Sequence, residues 1–464
     1  MAIINDLTTP VPSPDCFATL TPGSSLSSAF FAPLLLGLRQ LPGYRKCNGC
    51  PDEDWLRAGV WRCLAEQFSG RAFLQTNALL LPNLPEVVPY FDALGSKRRL
   101  DLIAQAADGL SERLSRASKG VDPFAQHPEL DGFWLFAGDG HYHEAAVHDP
   151  RVLEAGDCTP KPLPPAKTKG LSRQREEPAG TKFAVGHFFA LNLRNHLMRH
   201  LAVADQHERR KEHDMRALKA LSIAQLRMGA PKGMKVLYAW DRAGIDFRQW
   251  HVWKQSGVYF ISLEKTNMKL SEAAAPRPWE KADPRNAGVV ADELCMTSTG
   301  VSVRRVRWIE PESGEEFAFI TSEMTLPPGL IAEIYRARWN IERLFDETKT
   351  KYGERKAWAS SATAKKAQAL LLCMAHNLMV HLEGRLKSEE GVHHQAEDER
   401  RQDRMEAKIK LARKAGREVP SMWEAPQQPT QRCVKFIRWL RCWFFVEAPW
   451  HAAVAALAAS FASG

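Results

Sequence analysis

The chain has 464 residues, 44% hydrophobic and 25% charged, which is ordinary for globular proteins and long enough for about two to four domains at roughly 100–200 residues each. Its 63 Lys and Arg against 54 Asp and Glu give a net charge of +9 and a pI near 9.0, a balance that favours a polyanionic partner. No basic head with a long apolar run opens the sequence, and no stretch of about 18 apolar residues occurs, which excludes a secretory signal and a membrane span and points to a soluble, cytoplasmic protein.

Residues 1–23 are rich in Pro, Ser and Thr and read as irregular. From Ser25 to Ser115 the reading is mainly helical, with Phe30, Phe31, Leu34, Leu35 and Leu38 on helical spacing, then Trp55, Val60, Trp61 and Leu64 behind Asp52 as an N-cap. Such a domain is either a DNA-binding module or a helical cap on the rest. Within it lies Cys47-Asn48-Gly49-Cys50, one C-x-x-C pair. A zinc site needs a second pair or two histidines, and Cys63 and His127 show no diagnostic spacing. The nine cysteines are otherwise dispersed, as in a reducing compartment.

At Asp131 the texture changes. Phe133-Trp134-Leu135-Phe136-Ala137 reads as a buried strand ending in a turn at Gly138-Asp139-Gly140. Residues 157–181 hold five prolines and a cluster of Lys and Arg, and read as a loop. Phe183–Leu193 reads as a strand and Asn195–Arg227 as a polar helix. Lys235–Trp240 is a second buried strand, ending at Asp241-Arg242-Ala243-Gly244, and Val258–Leu263 is a third. Residues 301–309 and 316–321 alternate like a hairpin. Helix dominates from Pro328 to Leu386, residues 388–428 form a charged arm, and 429–461 return to amphipathic helix.

Asp139 and Asp241 both fall at the carboxyl end of a buried strand, where sites form in α/β sheets. Taken singly, each is equally readable as a turn former or helix cap. On the helix from Leu330 to Lys351, Tyr335, Arg338, Glu342 and Lys349 fall at i, i+3, i+7 and i+14, within about 60° of one another on the helical wheel. Arg336, Arg343 and Glu347 are expected on the solvent side. The plain alternative is a surface Arg–Glu pair at i, i+4. Trp339 is expected to pack against the sheet, with base stacking as the other role. His141, His143, His148, His196 and His200 read as structural or solvated; His196 and His200 lack the Glu of a metalloprotease helix.

Tyr335, Arg338, Glu342 and Lys349 reproduce the Y-R-E-K signature, and this part of the chain resembles the DDE transposases of the insertion sequence 4 group. Asp139-Gly140-His141 is similar to the group's first-aspartate motif and Asp241-Arg242-Ala243-Gly244 to its second. The gap from Asp241 to Glu342 resembles the group's β-rich insertion. The resemblance covers roughly residues 130–385.

It implies an α/β, ribonuclease H-like catalytic core with a β-rich insertion, flanked by helical N- and C-terminal regions. The expected divisions are a helical N-terminal domain at 1–128, the first part of the core at 129–265, and the insertion at 266–325. The rest of the core follows at 326–387, and the charged arm and helical C-terminal region at 388–464. The implied catalytic and metal-binding residues are Asp139, Asp241 and Glu342, holding two Mg²⁺ for which Mn²⁺ can substitute. Tyr335, Arg338 and Lys349 are implied to contact DNA. The implied partner is double-stranded DNA, as transposon ends and target, bound by a homodimer at the nucleoid. A stand-alone metal-dependent nuclease, a non-catalytic DNA-binding relic, and a zinc protein using Cys47 and Cys50 are the rival readings.

Overall fold

The run from Phe133 to Ala137 opens a strand far longer than its apolar part. Strand β1 spans Phe133–Glu144, passing straight through Gly138-Asp139-Gly140, where the sequence suggests a turn. Its two neighbours explain this. From Phe136 onward β1 pairs antiparallel with β2 (Ala184–Asn192), and from Phe133 to Gly138 it pairs parallel with β4 (Lys235–Trp240). The β2 ladder therefore carries the backbone across both glycines. Gly138 serves close packing, since a Cβ there would lie 2.0 Å from the Trp240 ring.

These features belong to a computed structural model that describes residues 24–46, 50–66, 69–78, 86–117, 122–144, 184–204, 218–271, 275–352, 356–425 and 431–463. The Pro-rich opening and the loop at 157–181, like Cys47 and His148, lie outside the described residues.

The segment after β2 is not the expected helix. In the connecting turn the Asn192 side chain accepts the N–H groups of Arg194 and Asn195, and His196 takes φ 57°. The chain then returns as β3 (Met198–Ala204), antiparallel to β2. β3 is an edge strand, and its Met198 backbone is satisfied by a side chain: Asn377 accepts from Met198 N–H and donates to Met198 C=O. Residues 218 and 219 are helical, and the single turn α6 (Ile223–Leu226) follows, closed by a Ser222–Gln225 capping box.

Strand β5 (Val258–Leu263) joins parallel to β4. The next strands extend the same sheet. They are β6 (Ala275–Pro276), β7 (Val289–Met296), β8 (Ser302–Ile309) and β9 (Glu316–Thr321), and β9 returns to pair with β5. The expected hairpin is β8–β9. The complete order is β3-β2-β1-β4-β5-β9-β8-β7-β6, a mixed sheet with a parallel centre. A buried pair ties its far end to the helix that follows: Arg304 donates twice to Asp292, 2.8 Å each, and once to Leu326 C=O, 2.7 Å.

Period-two alternation splits β1 between two cores. Phe136 faces Phe188, Tyr238, Trp240 and the tryptophans Trp250 and Trp253 of α7 (Phe247–Gln255). Phe133, Leu135 and Ala137 face the other side. That layer holds α8 (Pro328–Ala337), α9 (Trp339–Thr350) and α10 (Ala362–Glu389). Beyond α10, and in the same apolar cluster, come α1 (Leu26–Leu35), α2 (Asp52–Leu64), α3 (Gly70–Asn77), α4 (Val87–Leu94) and α5 (Lys97–Ala117). α10 is apolar nearly all round because the sheet covers one side and α1, α2 and α5 the other. Asp52 does not cap α2, whose N-cap is Pro51; it is a buried carboxylate held by Arg98 and the Arg45 N–H.

The charged arm is α11 (Gln395–Lys414), with Ile409 and Ala412 buried. The tail forms α12 (Val434–Trp443) and α13 (Trp450–Ala462). No helix among the described residues is long and apolar enough to cross a membrane.

Candidate active site

Asp139 lies on β1 two residues beyond Ala137, so alternation turns its side chain to the α8–α9 face. Its carboxylate accepts the Gly140 N–H at 2.8 Å and is about one-quarter exposed. Because Gly138 is paired with Trp240, Asp139 and Asp241 stand abreast at the end of the parallel β1–β4 ladder. Asp241 leaves β4 into a short 3-10 turn, Arg242–Gly244. Trp240 holds that turn in shape. A Cβ on Gly138 would meet its ring at 2.0 Å and one on Gly244 at 2.3 Å, so the indole packs against two glycine backbones.

Glu342 arrives from the helical layer. Pro327 and Pro328 open α8, with Pro328 at a helical position where its missing N–H costs nothing. α8 and α9 meet at Arg338, which keeps right-handed helical dihedrals (φ −55°, ψ −33°). The joint therefore preserves the phase of the helix, and Tyr335, Arg338 and Glu342 share a face.

Arg338 links the carboxylates. Its Nη2 donates to Glu342 Oε1 at 2.6 Å, while Nη1 lies 3.7 Å from Asp139 Oδ2. The guanidinium is nearly buried and sits 5.5 Å from the rings of both Tyr335 and Trp339. Burial pushes the Asp139 carboxyl up to about 6. The Gly140 N–H and Arg338 act against that shift, and the Glu342 and Asp241 charges reinforce it. Asp139 thus senses the charges of both Asp241 and Glu342. Burial also raises the Tyr335 phenol above its ordinary value, with Arg338 opposing and Asp241 reinforcing.

The structure brings five of the six expected site residues together: Asp139, Asp241, Tyr335, Arg338 and Glu342. Lys349 is exposed near the end of α9, roughly 10 Å further along the same stripe at 1.5 Å per residue. Trp339 departs from expectation. It is 54% exposed beside Arg338 and does not pack on the sheet, because it begins α9 on the side away from β1. Glu347 and Arg336 depart too. Glu347 is fully buried against Arg432, and Arg336 is partly buried against Glu333 and the Trp423 ring. Chain from beyond 420 covers that side of the helix, which nothing local in the sequence announces.

Among the described residues the other candidates form no centre. The His141 ring packs on Phe345 at 4.8 Å in the core, and His200 packs on Phe189 at 5.4 Å. His196 lies in the β2–β3 turn and not on a helix with His200. Cys50 and Cys63 are buried, and Cys63 donates to Gly59 C=O.

The donor chemistry at the site, three carboxylates, suits a hard divalent cation. As placed here, the cation between Asp139 and Glu342 is the Arg338 guanidinium. Among the described residues no three His, Cys, Asp or Glu side chains stand close enough to share an ion.

Residues 163–378 match the family model of the transposase DDE domain. The transposase-domain match takes in Asp241, Tyr335, Arg338, Glu342 and Lys349, and covers a little under half of the chain. It begins beyond β1, so Asp139 enters the site on geometry and not on the match. No curated protein matches the chain.

Proposed function

We propose that the chain is a DNA transposase of the insertion sequence 4 group, built on a ribonuclease H-like core, that binds terminal inverted repeats and catalyses metal-dependent strand cleavage and strand transfer. The observation that carries this reading is that Arg338 links Asp139 of β1 to Glu342 of α9, with Asp241 abreast of Asp139 at the end of the neighbouring strand. The order β3-β2-β1-β4-β5, antiparallel on one side of β1 and parallel on the other, supports the fold assignment. The transposase-domain match supports the chemistry.

Both reactions are in-line displacements at phosphorus. Water attacks the phosphodiester first, releasing a 3′-hydroxyl, and that hydroxyl then attacks a target phosphodiester. Asp139, Asp241 and Glu342 would hold two Mg²⁺, or Mn²⁺ in their place, which when bound supply charge to activate the entering oxygen and stabilise the leaving one. Arg338 offers a planar fork suited to a phosphate, and Lys349 a point charge further along the helix. Tyr335 offers a hydroxyl donor on the same face. The +9 net charge suits double-stranded DNA as partner, both transposon end and target. Two ends require two subunits, so the working form is a homodimer on DNA, at the nucleoid. Residues 1–128 are the proposed DNA-binding part and 266–325 the insertion of the core.

The test uses purified protein, Mg²⁺ and DNA carrying the inverted repeats that flank its own gene, beside Glu342→Gln. Joined products that vanish in the variant support the reading. Cleavage without joining converts it to a nuclease, and binding without either leaves a relic.

A further inference from the structure

Glu342 and Glu347 stand on one helix, five residues apart, facing different ways. Glu342 faces β1 and the proposed metal site. Glu347 is wholly buried on the other side, where a carboxylate must be paired. Its partner is Arg432, from the segment leading into α12. The Arg432 N–H donates to Glu347 Oε1 at 2.5 Å and its guanidinium to Oε2 at 2.6 Å.

Three further bonds join the same two pieces of chain. Gln431 donates to Arg343 C=O, Lys351 Nζ to Arg432 C=O, and Arg441 to Lys351 C=O, each at 2.5 Å. The Arg432 guanidinium also lies 3.4 Å from Glu383 and 3.4 Å from His376 Nδ1 on α10. The other ring nitrogen of His376 reaches His196 C=O in the β2–β3 turn. One buried cation therefore joins α9, α10 and the turn beside β1.

The site's geometry is sensitive to how α9 is held. A carboxylate about 6 Å from a helix axis moves about 1 Å for each 10° of roll, and a 1 Å misplacement is enough to cost about a hundredfold in rate. On the site side α9 packs on β1 and β2 through Phe345, whose ring lies 4.8 Å from His141 and 5.8 Å from Phe189, and it reaches Asp139 through Arg338. We infer that Arg432 is a positioning residue for the proposed reaction: by gripping Glu347 from behind α9 it fixes the roll of the helix and so the place of Glu342. The inference rests on the function proposed above, and it makes residues 431–441 a working part of the catalytic unit.

The test compares wild type, Arg432→Met, Arg432→Lys and Lys351→Met. It reads three quantities: single-turnover cleavage of end DNA at saturating protein, end affinity, and amide hydrogen exchange across residues 339–350. Folded Arg432→Met should cleave at least about tenfold more slowly, with end affinity within about threefold of wild type and faster exchange in α9. Arg432→Lys should recover part of the rate, since an ammonium still reaches one Glu347 oxygen. Lys351→Met leaves no buried carboxylate unpaired and should show a smaller loss in the same direction. If Arg432→Met does not fold, Lys351→Met carries the test. Unchanged rate and exchange in a folded variant overturn the inference, as does a rate loss that only tracks the unfolded fraction. A wild type that binds ends without cutting overturns the functional reading instead, and exchange across α9 then still decides whether Arg432 holds the helix.

Discussion

Arg338 and Glu342 form an ion pair 2.6 Å long in which the arginine is almost wholly buried and the glutamate one-third exposed. The same arginine lies 3.7 Å from Asp139, so it holds two acidic groups together that would otherwise repel. Replacing it by alanine leaves Asp139 and Glu342 without their shared cation. Breaking a fully buried pair costs about 3–5 kcal/mol, and solvent at Glu342 reduces this to about 1–2 kcal/mol. Arg338→Ala should therefore melt earlier than wild type in the absence of divalent ions. Millimolar Mg²⁺ should then raise its melting temperature more than that of wild type, because a bound cation replaces the missing one. Calorimetry with and without Mg²⁺ checks this, and equal Mg²⁺ shifts in the two proteins would count against a shared cation site.

Gly138 matters because of Trp240, which is on the adjacent strand and directly paired with it. A methyl group would enter the indole at 2.0 Å. Overpacking of this kind costs about 1–3 kcal/mol, and here it also displaces the residue preceding Asp241. Gly138→Ala should lose stability by that amount and most of its DNA cleavage. Trp240→Leu should be destabilising alone yet should restore part of the loss when combined with Gly138→Ala. Urea titrations of the four proteins give the coupling energy, and strict additivity would show that the close approach does not constrain the site.

How much of this was readable beforehand depends on whether the deciding partner is local. β4 and Asp241 were legible, since an apolar run ending at Asp-Arg-Ala-Gly behaves as written. The Tyr335–Arg338–Glu342 face was legible because the Arg338 joint keeps helical dihedrals. β1 beyond Gly138 was not, because two glycines around an aspartate resemble a turn until β2 and Trp240 are in place. β3 was not, because its edge backbone is satisfied by Asn377, 179 residues away. Glu347 reads as solvent-facing because its partner, Arg432, lies 85 residues further along.

Buried histidines set a pH limit on stability. Burial lowers His196 to about 4 and His200 to about 3, and lowers His376 well below its ordinary value. All three are neutral when folded, whereas the unfolded chain protonates near 6.5. Their stabilising contribution is complete above about pH 6.5 and is lost as pH falls below it, down to about 4 for His196 and about 3 for His200. By pH 5.5 each group removes about 1 kcal/mol. Unfolding free energy measured in urea should decline across this range, and His200→Leu should flatten the slope by up to about 1.4 kcal/mol per pH unit. An unchanged slope in that variant would mean that His200 is solvated in the folded protein.

Asn377 replaces a missing strand. Its side chain meets both polar groups of Met198 at 2.7 and 3.0 Å and donates to Ser111 as well, all in the interior. Asn377→Leu keeps the approximate volume but leaves the Met198 N–H and C=O buried and unpaired, at about 1–3 kcal/mol for each group. Asn377→Asp still accepts from the N–H but faces the carbonyl with a charged oxygen, so it should be at least as harmful near neutral pH. Both variants should free β3 before the rest of the sheet, because among the described residues no other strand pairs with its far edge. Amide exchange at 198–203 should accelerate ahead of exchange at 235–240 in β4, whose two flanks are both paired. Acceleration of both strands together would show instead that Asn377 supports the global fold and not the edge alone.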